Sequence, residues 1–161
     1  MRVDIPFTVL ILAAASPFGQ ARAMSDATAP DPHPPTVWPA FQARDPRVVI
    51  DFLVALGFEE TACYTDDAGV VQHAQLDWPE GGGVMLGAHK PDGPFTQQPG
   101  TSAAYVVTQD VDAVLTRARA AGAEVPRGVE ERDYGSRELA LRDPEGNQWS
   151  FGTYPGEPRR V

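Results

Sequence analysis

A phrase that occurs twice in this sequence limits the folds that the chain can adopt. "LDWPEGGGVMLG" runs from Leu76 to Gly87 and "LRDPEGNQWSFG" from Leu141 to Gly152, with Leu, Pro-Glu-Gly and a final Gly in the same places. One shift of 65 positions places the first phrase on the second without a gap. Similarity of this kind indicates two copies of one supersecondary unit.

The same shift relates two predicted amphipathic helices. The first is expected to begin after the N-cap Asp45, with Pro46 at its first position, and to end at Gly57. The second is expected to begin after Asp110 and to end at Gly122. Their apolar residues at helical spacing are Val49, Phe52, Leu53 and Leu56 in the first, and Val111, Val114, Leu115 and Ala118 in the second.

Short strand-like runs surround each helix. "TVWPAFQARD" precedes the first helix, and "FEETACY", "VVQHAQLDW" and "GVMLG" follow it. The second half begins with "TSAAYVVTQD" and ends with "WSFG", so each half is predicted to be a β-α-β-β-β module. In the repeated Pro-Glu-Gly, Pro144 suits a type I turn and Gly146 its left-handed position. We therefore predict an α+β domain over residues 36–155.

The predicted boundaries follow from the repeat and from composition. The modules are expected at 36–88 and 101–155, joined by a Gly- and Pro-rich segment, with a tail at 156–161. Residues 1–35 are predicted to form a disordered leader outside the core, since its Pro-rich part has few apolar groups. The apolar run "FTVLILAAASPF" before Ala21 and Ala23 is typical of a signal peptide, and a true start at Met24 explains the same residues.

Charge and cysteine content narrow the possible functions. The chain has 13 Lys plus Arg against 22 Asp plus Glu, a net charge of -9, which argues against nucleic acid as a partner and favours a neutral or cationic small organic ligand. Cys63, the one cysteine, permits neither an internal disulfide nor a Cys-rich zinc site and is expected to be a small buried strand residue. No Walker-type loop, dinucleotide glycine fingerprint or GxSxG elbow occurs in the sequence.

With its two modules and "YGSRELALRDPEGNQWSFGTY", the chain resembles the vicinal oxygen chelate superfamily of glyoxalases, bleomycin resistance proteins and extradiol dioxygenases. The resemblance implies a curved sheet around a cavity, with helices on its outer face. In metal-bearing relatives, ligands stand at positions that here read Trp38, Ala103, Met85 and Ser150. None of these is a good ligand for a hard metal ion, so we predict neither a metal nor a cofactor, as in the bleomycin-resistance branch.

Strand alternation predicts which side chains face the cavity. Phe41, Ala43, Trp149 and Phe151 are expected to face the helices. The predicted ligand-binding residues are Trp38, Gln42, Met85, Tyr105, Gln148 and Ser150. An alternative is that Trp38 and Tyr105 fill a collapsed core and bind nothing.

His73 and its repeat partner Glu138 are the candidates for proton chemistry. If they face one another across the cavity, they form an acid–base pair at neutral pH. The alternative is a surface histidine without a catalytic role. "DYGSRE" is predicted to be a turn, or else a gate with Tyr134 as its lid and Gly135 as its hinge.

The sequence thus predicts a metal-independent small-molecule binding protein. A glyoxalase-like lyase, isomerase or dioxygenase that uses His73 and Glu138 is the alternative, and a purely structural or regulatory partner protein is a third class. We expect a homodimer, because "VMLG" and "WSFG" would otherwise leave apolar strand edges open. No membrane partner is expected, and the predicted location is the cytoplasm, or outside the cell if residues 1–23 are a signal peptide.

Overall fold

The computed structural model describes residues 37–94 and 97–158. The predicted leader and the end of the tail therefore lie outside the described residues. The first module comprises β1 (Ala40–Ala43), α1 (Pro46–Leu56), β2 (Glu59–Thr65), β3 (Val71–Asp77) and β4 (Gly83–Ala88). The second comprises β5 (Ala103–Val107), α2 (Val111–Ala120), β6 (Glu124–Glu131), β7 (Arg137–Arg142) and β8 (Gln148–Gly152). The predicted α+β order is observed in both halves.

Each module forms its own four-stranded sheet. The strand orders are β1-β4-β3-β2 and β5-β8-β7-β6, with the first two strands of each order parallel and the others antiparallel. Ala40 pairs with Met85 in the first sheet and Tyr105 with Ser150 in the second, so the shift of 65 also relates the strand registers. The two sheets are not closed into one barrel.

The helix ends lie where the sequence predicts them. The Asp45 side chain accepts hydrogen bonds from the amides of Arg47 and Val48 at the start of α1, and Gly57 ends the helix at φ 119°. Asp110 caps α2 by accepting from the Ala113 amide, and Gly122 follows its end at φ 70°. Pro46 opens α1, where its missing N–H has no intrahelical partner to lose.

One hydrophobic core lies between the sheets and their helices. The predicted helix-facing residues Phe41, Ala43, Trp149 and Phe151 are at most 2% exposed, which confirms the alternation of β1 and β8. The rings of Phe41 and Trp149 stack with centroids 5.0 Å apart, so the core is continuous between the modules.

Cys63 corrects one prediction. The sequence predicts a buried residue at this position, whereas Cys63 is exposed, because β2 is the outer strand of its sheet. Desolvation at this surface and the neighbouring Glu60 carboxylate raise the pKa of the Cys63 thiol. The thiolate form is therefore disfavoured at neutral pH, which makes Cys63 a poor nucleophile.

The Pro-Glu-Gly turns also join the modules. Gly146 donates its amide to the Asp143 carbonyl at 3.0 Å and has φ 103°, as the turn prediction requires. The Glu145 carboxylate accepts the amides of Arg44 at 2.9 Å and Asp45 at 2.6 Å in the first module. Its counterpart Glu80 accepts the Thr108 hydroxyl at 2.6 Å and the Gln109 amide at 2.9 Å in the second module. The glutamate of each phrase thus ties its own module to the other.

Among the described residues, no helix is long and apolar enough to cross a membrane.

Candidate functional site

The sheet face opposite each helix is open and carries a cavity. In the first module the cavity has a volume of about 400 Å³ and lies over β1, β3 and β4. Its polar lining residues are Gln42, Gln72, His73 and Lys90. Ala40 and Gly87 also line this cavity, and their small size leaves space above the strands.

The second module carries a larger cavity of about 710 Å³. It is lined by Tyr105, Val107, Tyr134, Glu138, Tyr154, Pro155, Gly156 and Glu157. Strand β5 supplies Tyr105, β7 supplies Glu138, and the chain after β8 supplies Tyr154 and Glu157. Aromatic rings and two carboxylates therefore surround this cavity, and none of its described lining residues is Lys or Arg.

Glu138 is the buried polar centre of the second cavity, at 5% exposure. Its Oε1 accepts hydrogen bonds from the hydroxyls of Tyr134 at 2.7 Å and Tyr105 at 3.4 Å. Its Oε2 accepts from Arg127 Nη2 at 3.4 Å and lies 3.8 Å from Arg132 Nε. One carboxylate oxygen thus faces the tyrosines and the other the arginines, so the buried charge is balanced on the side away from the cavity.

A glycine allows Tyr105 to reach Glu138. A Cβ built on Gly152 would collide with the Tyr105 hydroxyl and would lie 2.8 Å from Glu138 Cγ. Tyr105 therefore lies across β8 at the one residue of that strand without a side chain. Its hydroxyl also accepts the Tyr154 amide at 3.2 Å, which holds the segment after β8 beside the cavity.

Tyr134 lies in the predicted turn, where Gly135 at φ 81° donates its amide to the Arg132 carbonyl at 2.8 Å. The hydrogen bond to Glu138 raises the pKa of the Tyr134 phenol, because ionisation would place two negative groups side by side. The Tyr134 and Tyr154 rings meet edge to face, with centroids 5.8 Å apart. Both rings thus form one wall of the cavity.

The structure divides the predicted site residues between the two faces. Gln42, Met85 and His73 line the first cavity, and Tyr105 and Glu138 line the second. His73 is exposed and stacks on Tyr64 with ring centroids 6.1 Å apart. Within one chain, the predicted pair of His73 and Glu138 therefore belongs to two different cavities.

Trp38, Gln148 and Ser150 line neither cavity. Trp38 lies against Gly83, where a Cβ would be 2.6 Å from Trp38 Cζ3. Sequence reasoning did not select Tyr154 and Glu157, which line the second cavity after the last strand. Strand alternation predicts the facing of side chains only within regular strands, and these two residues follow the last strand. The sequence signal for them is an aromatic and an acidic residue in "GTYPGE", directly after "WSF".

The positions of the family's metal ligands do not fit a divalent ion. Trp38 and Ala103 offer no oxygen or imidazole donor, and Met85 and Ser150 offer a thioether and a hydroxyl. In residues 37–94 and 97–158, no three or more His, Cys, Asp or Glu side chains are grouped closely enough to hold a metal. The groups that line the two cavities are aromatic rings, amides and the ionisable side chains of His73, Lys90, Glu138 and Glu157.

A family model, described as "Glyoxalase/Bleomycin resistance protein/Dioxygenase superfamily", matches residues 36–151. The chain belongs to this superfamily. A comparison with curated proteins gives no match. The family resemblance predicted from the repeat is thereby confirmed, and with it the two-module fold.

Solved structures with the same fold include proteins that bind antibiotics. TioX from Micromonospora sp. ML1 is 26% identical with a TM-score of 0.61, over 78% of this chain and 100% of TioX. The antibiotic-binding protein TnmS3 from Streptomyces sp. CB03234 is 24% identical with a TM-score of 0.57, over 70% and 88%. A bleomycin-binding protein solved with bleomycin is 17% identical with a TM-score of 0.54, over 74% and 98%.

Proposed function

We propose that this protein is a metal-independent small-molecule binding protein whose ligand occupies the second-module cavity. The observation that carries the proposal is the cavity of about 710 Å³ walled by Tyr105, Tyr134 and Tyr154 around the buried Glu138. Ligand sites in proteins are mostly apolar and aromatic, with a few polar groups that set orientation. Antibiotic binding by TnmS3 and bleomycin binding by a third relative support a bulky organic ligand.

Charge supports a neutral or cationic ligand over an anionic one. The chain carries a net charge of -9. Of the two carboxylates that line the second cavity, Glu138 is balanced by Arg127 and Arg132, whereas Glu157 has no ion-pair partner among the described residues. An acidic surface raises the encounter rate with cations and lowers it with anions.

Metal independence rests on the donor chemistry of the open faces. The family's ligand positions hold Trp38, Ala103, Met85 and Ser150, which do not form a site for a divalent ion. Elemental analysis of the purified protein tests this part of the proposal. We expect less than about one tenth of an equivalent of Ni, Zn, Mn or Fe per chain, and one tightly held equivalent of any of them would refute it.

We also propose a homodimer in which the open faces of two chains cover each other. The strands of "VMLG" and "WSFG", β4 and β8, are each paired on both sides, so the predicted open edges do not supply the interface. Tyr64 on the first face and Tyr105 and Tyr134 on the second are 65%, 42% and 59% exposed, so both faces present aromatic surface to solvent. Exposed aromatic surface of this kind commonly marks an interaction site. Light scattering tests the assembly, for which we expect twice the chain mass of 17.3 kDa. A monomer at micromolar concentration would exclude the dimer.

A ligand panel read by thermal shift and native mass spectrometry tests the binding function. The panel contains bleomycin and other organic cations, neutral polycyclic compounds and organic acids. We expect at least one cationic or neutral compound to raise the melting temperature, and Tyr105→Ala to lose at least tenfold in affinity for it. Val48→Ala, on the exposed side of α1, is the matched control and should bind as the unaltered protein does. A panel without any binder, or equal binding by Tyr105→Ala, would refute the proposal.

A further inference from the structure

We infer that the second-module cavity recognises a quaternary ammonium group, held by an aromatic cage of Tyr105, Tyr134 and Tyr154. The inference rests on the proposed function, since it names the ligand chemistry of the same cavity. The three residues come from separate parts of the module: β5, the turn before β7 and the segment after β8. Tertiary structure alone brings them together.

The ring geometry suits a cation without hydrogen-bond donors. Tyr134 and Tyr154 form a corner, with an interplanar angle of 71° and centroids 5.8 Å apart. Tyr105 is fixed to this corner, because its hydroxyl accepts the Tyr154 amide at 3.2 Å. Methylated ammonium groups bind in such cages because each ring presents its negative face to the cation.

Carboxylates strengthen the cage through the tyrosine hydroxyls. Glu138 Oε1 accepts from Tyr134 at 2.7 Å and from Tyr105 at 3.4 Å, and Glu157 Oε1 accepts from Tyr154 at 2.9 Å. A phenol that donates to a carboxylate carries more negative charge on its ring than a free phenol does. The same bonds lock the rings in place before a ligand arrives, which lowers the entropy cost of binding.

Hydrogen-bond supply distinguishes a quaternary from a primary ammonium. Glu138 Oε1 already accepts two hydroxyls, and its Oε2 is paired with Arg127 and Arg132. The second carboxylate of the lining, Glu157, already accepts the Tyr154 hydroxyl through Oε1. A primary ammonium would need three acceptors to replace its water shell, whereas a trimethylammonium group needs apolar contact. Val107 and Pro155, together with the rings, provide that contact.

The decisive experiment compares three small probes of similar size by isothermal titration calorimetry of the full chain. Choline carries a trimethylammonium group, 3,3-dimethylbutan-1-ol is its neutral carbon counterpart, and ethanolamine carries a primary ammonium. We expect choline to bind at least about fivefold more tightly than either of the others, which corresponds to about 1 kcal/mol. Equal affinity for choline and the neutral alcohol would overturn the inference, and so would tighter binding of ethanolamine.

Substitutions of the cage tyrosines test whether the cage is responsible for choline binding. Tyr154→Leu and Tyr134→Leu are each expected to weaken choline binding at least about fivefold and to leave the neutral alcohol within about twofold. Tyr154→Phe keeps the ring and should lose less than Tyr154→Leu. Unchanged choline affinity in both leucine variants, with native circular dichroism, would overturn the inference.

The choline probes and the ligand panel together distinguish failure of the cation inference from failure of the proposed binding function. If the protein binds a neutral compound of the panel in the second cavity but no choline at up to tens of millimolar, the cation inference is wrong and the proposed binding function stands. If no compound of the panel binds and choline does not bind, both are wrong. Choline binding that is lost on Tyr154→Leu supports both.

Discussion

The two modules share a backbone plan and differ on their open faces. Position by position, Ala40 corresponds to Tyr105, His73 to Glu138 and Met85 to Ser150, whereas Gly87 corresponds to Gly152. In the first module, the small Ala40 side chain leaves space in the cavity over β1, β3 and β4. In the second, Tyr105 fills that space, and the cavity lies beside its ring. Two modules with the same strand order thus present two different surfaces.

The largest expected effect on stability concerns equivalent positions in the two turns, which hold Trp78 in the first module and Asp143 in the second. Asp143 is buried, and its carboxylate accepts from three backbone amides, the Asn147 side-chain amide and Trp149 Nε1. Asp143→Ala leaves these donors without an acceptor, so we expect a loss of about 3 to 4 kcal/mol in the free energy of unfolding. Trp78 donates a single bond to the Val107 carbonyl at 2.9 Å, so Trp78→Phe should cost about 1 to 2 kcal/mol. Urea denaturation of both variants measures the difference, and equal losses would contradict it.

Gly87 and Gly152 end the two phrases. Removal of the Tyr105 side chain should lower the stability cost of a glycine-to-alanine substitution at Gly152 but not at Gly87. Gly152→Ala is expected to cost about 1 to 3 kcal/mol, because its Cβ meets the Tyr105 hydroxyl. In a Tyr105→Ala background the same change should cost at least about 1 kcal/mol less. At Gly87 the new Cβ meets the Gln72 carbonyl, part of the backbone, so the cost of Gly87→Ala should not change with Tyr105→Ala. A double-mutant cycle by chemical denaturation measures both couplings, and coupling at Gly87 would show that the faces are not independent.

The glutamates of the two turns are expected to be equivalent. Glu80 accepts from the Thr108 hydroxyl at 2.6 Å and the Gln109 amide at 2.9 Å, and Glu145 accepts from two amides of the first module. We expect Glu80→Ala and Glu145→Ala each to cost about 1 to 2 kcal/mol, since each removes two hydrogen bonds to a charged acceptor. Thermal unfolding with a control at the exposed Glu59 checks this. If the two variants differ by more than about twofold in the free energy lost, the two glutamates do not contribute equally to the contact between the modules.

The smallest expected effect is on the ionisation of Tyr134. Its raised pKa means that the bond to Glu138 stabilises the fold at neutral pH and is lost as the pH rises through that pKa, above the ordinary tyrosine value of about 10. Glu138→Gln should shift the phenolate absorbance of Tyr134 to lower pH, because the neighbouring negative charge is gone. His73→Gln, at the equivalent position of the first module, should not shift the phenolate absorbance of Tyr134. An unchanged titration in Glu138→Gln would show that the bond does not control Tyr134.

Local features of the fold were predictable because they depend on neighbours in sequence. Asp45 and Gly57 mark the ends of α1 as expected, since capping involves residues within one turn of the helix. Gly146 takes its left-handed position because the turn needs it. Phe41 and Trp149 are buried because alternation within a strand sends every second side chain to one face.

Other features depended on strand order and on distant contacts. Cys63 is exposed because β2 lies at the sheet edge, and nothing within "FEETACY" states which strand is outermost. The Pro-Glu-Gly phrase predicts a turn, and its glutamates also accept hydrogen bonds from the opposite module. Tyr134 and Tyr154, 20 residues apart, meet only after β7 and β8 are paired.

Sequence alone predicts the two β-α-β-β-β modules, their helix ends and their buried faces, because these follow from local backbone preferences and from the match of the two halves at a shift of 65 residues. The positions of the polar and aromatic groups of the site depend on the tertiary structure. It placed His73 and Glu138 on different faces and gathered three tyrosines around Glu138. The physical reason is that a repeat fixes equivalent positions, whereas the contents of a cavity depend on which side chains from distant segments fill the space between them.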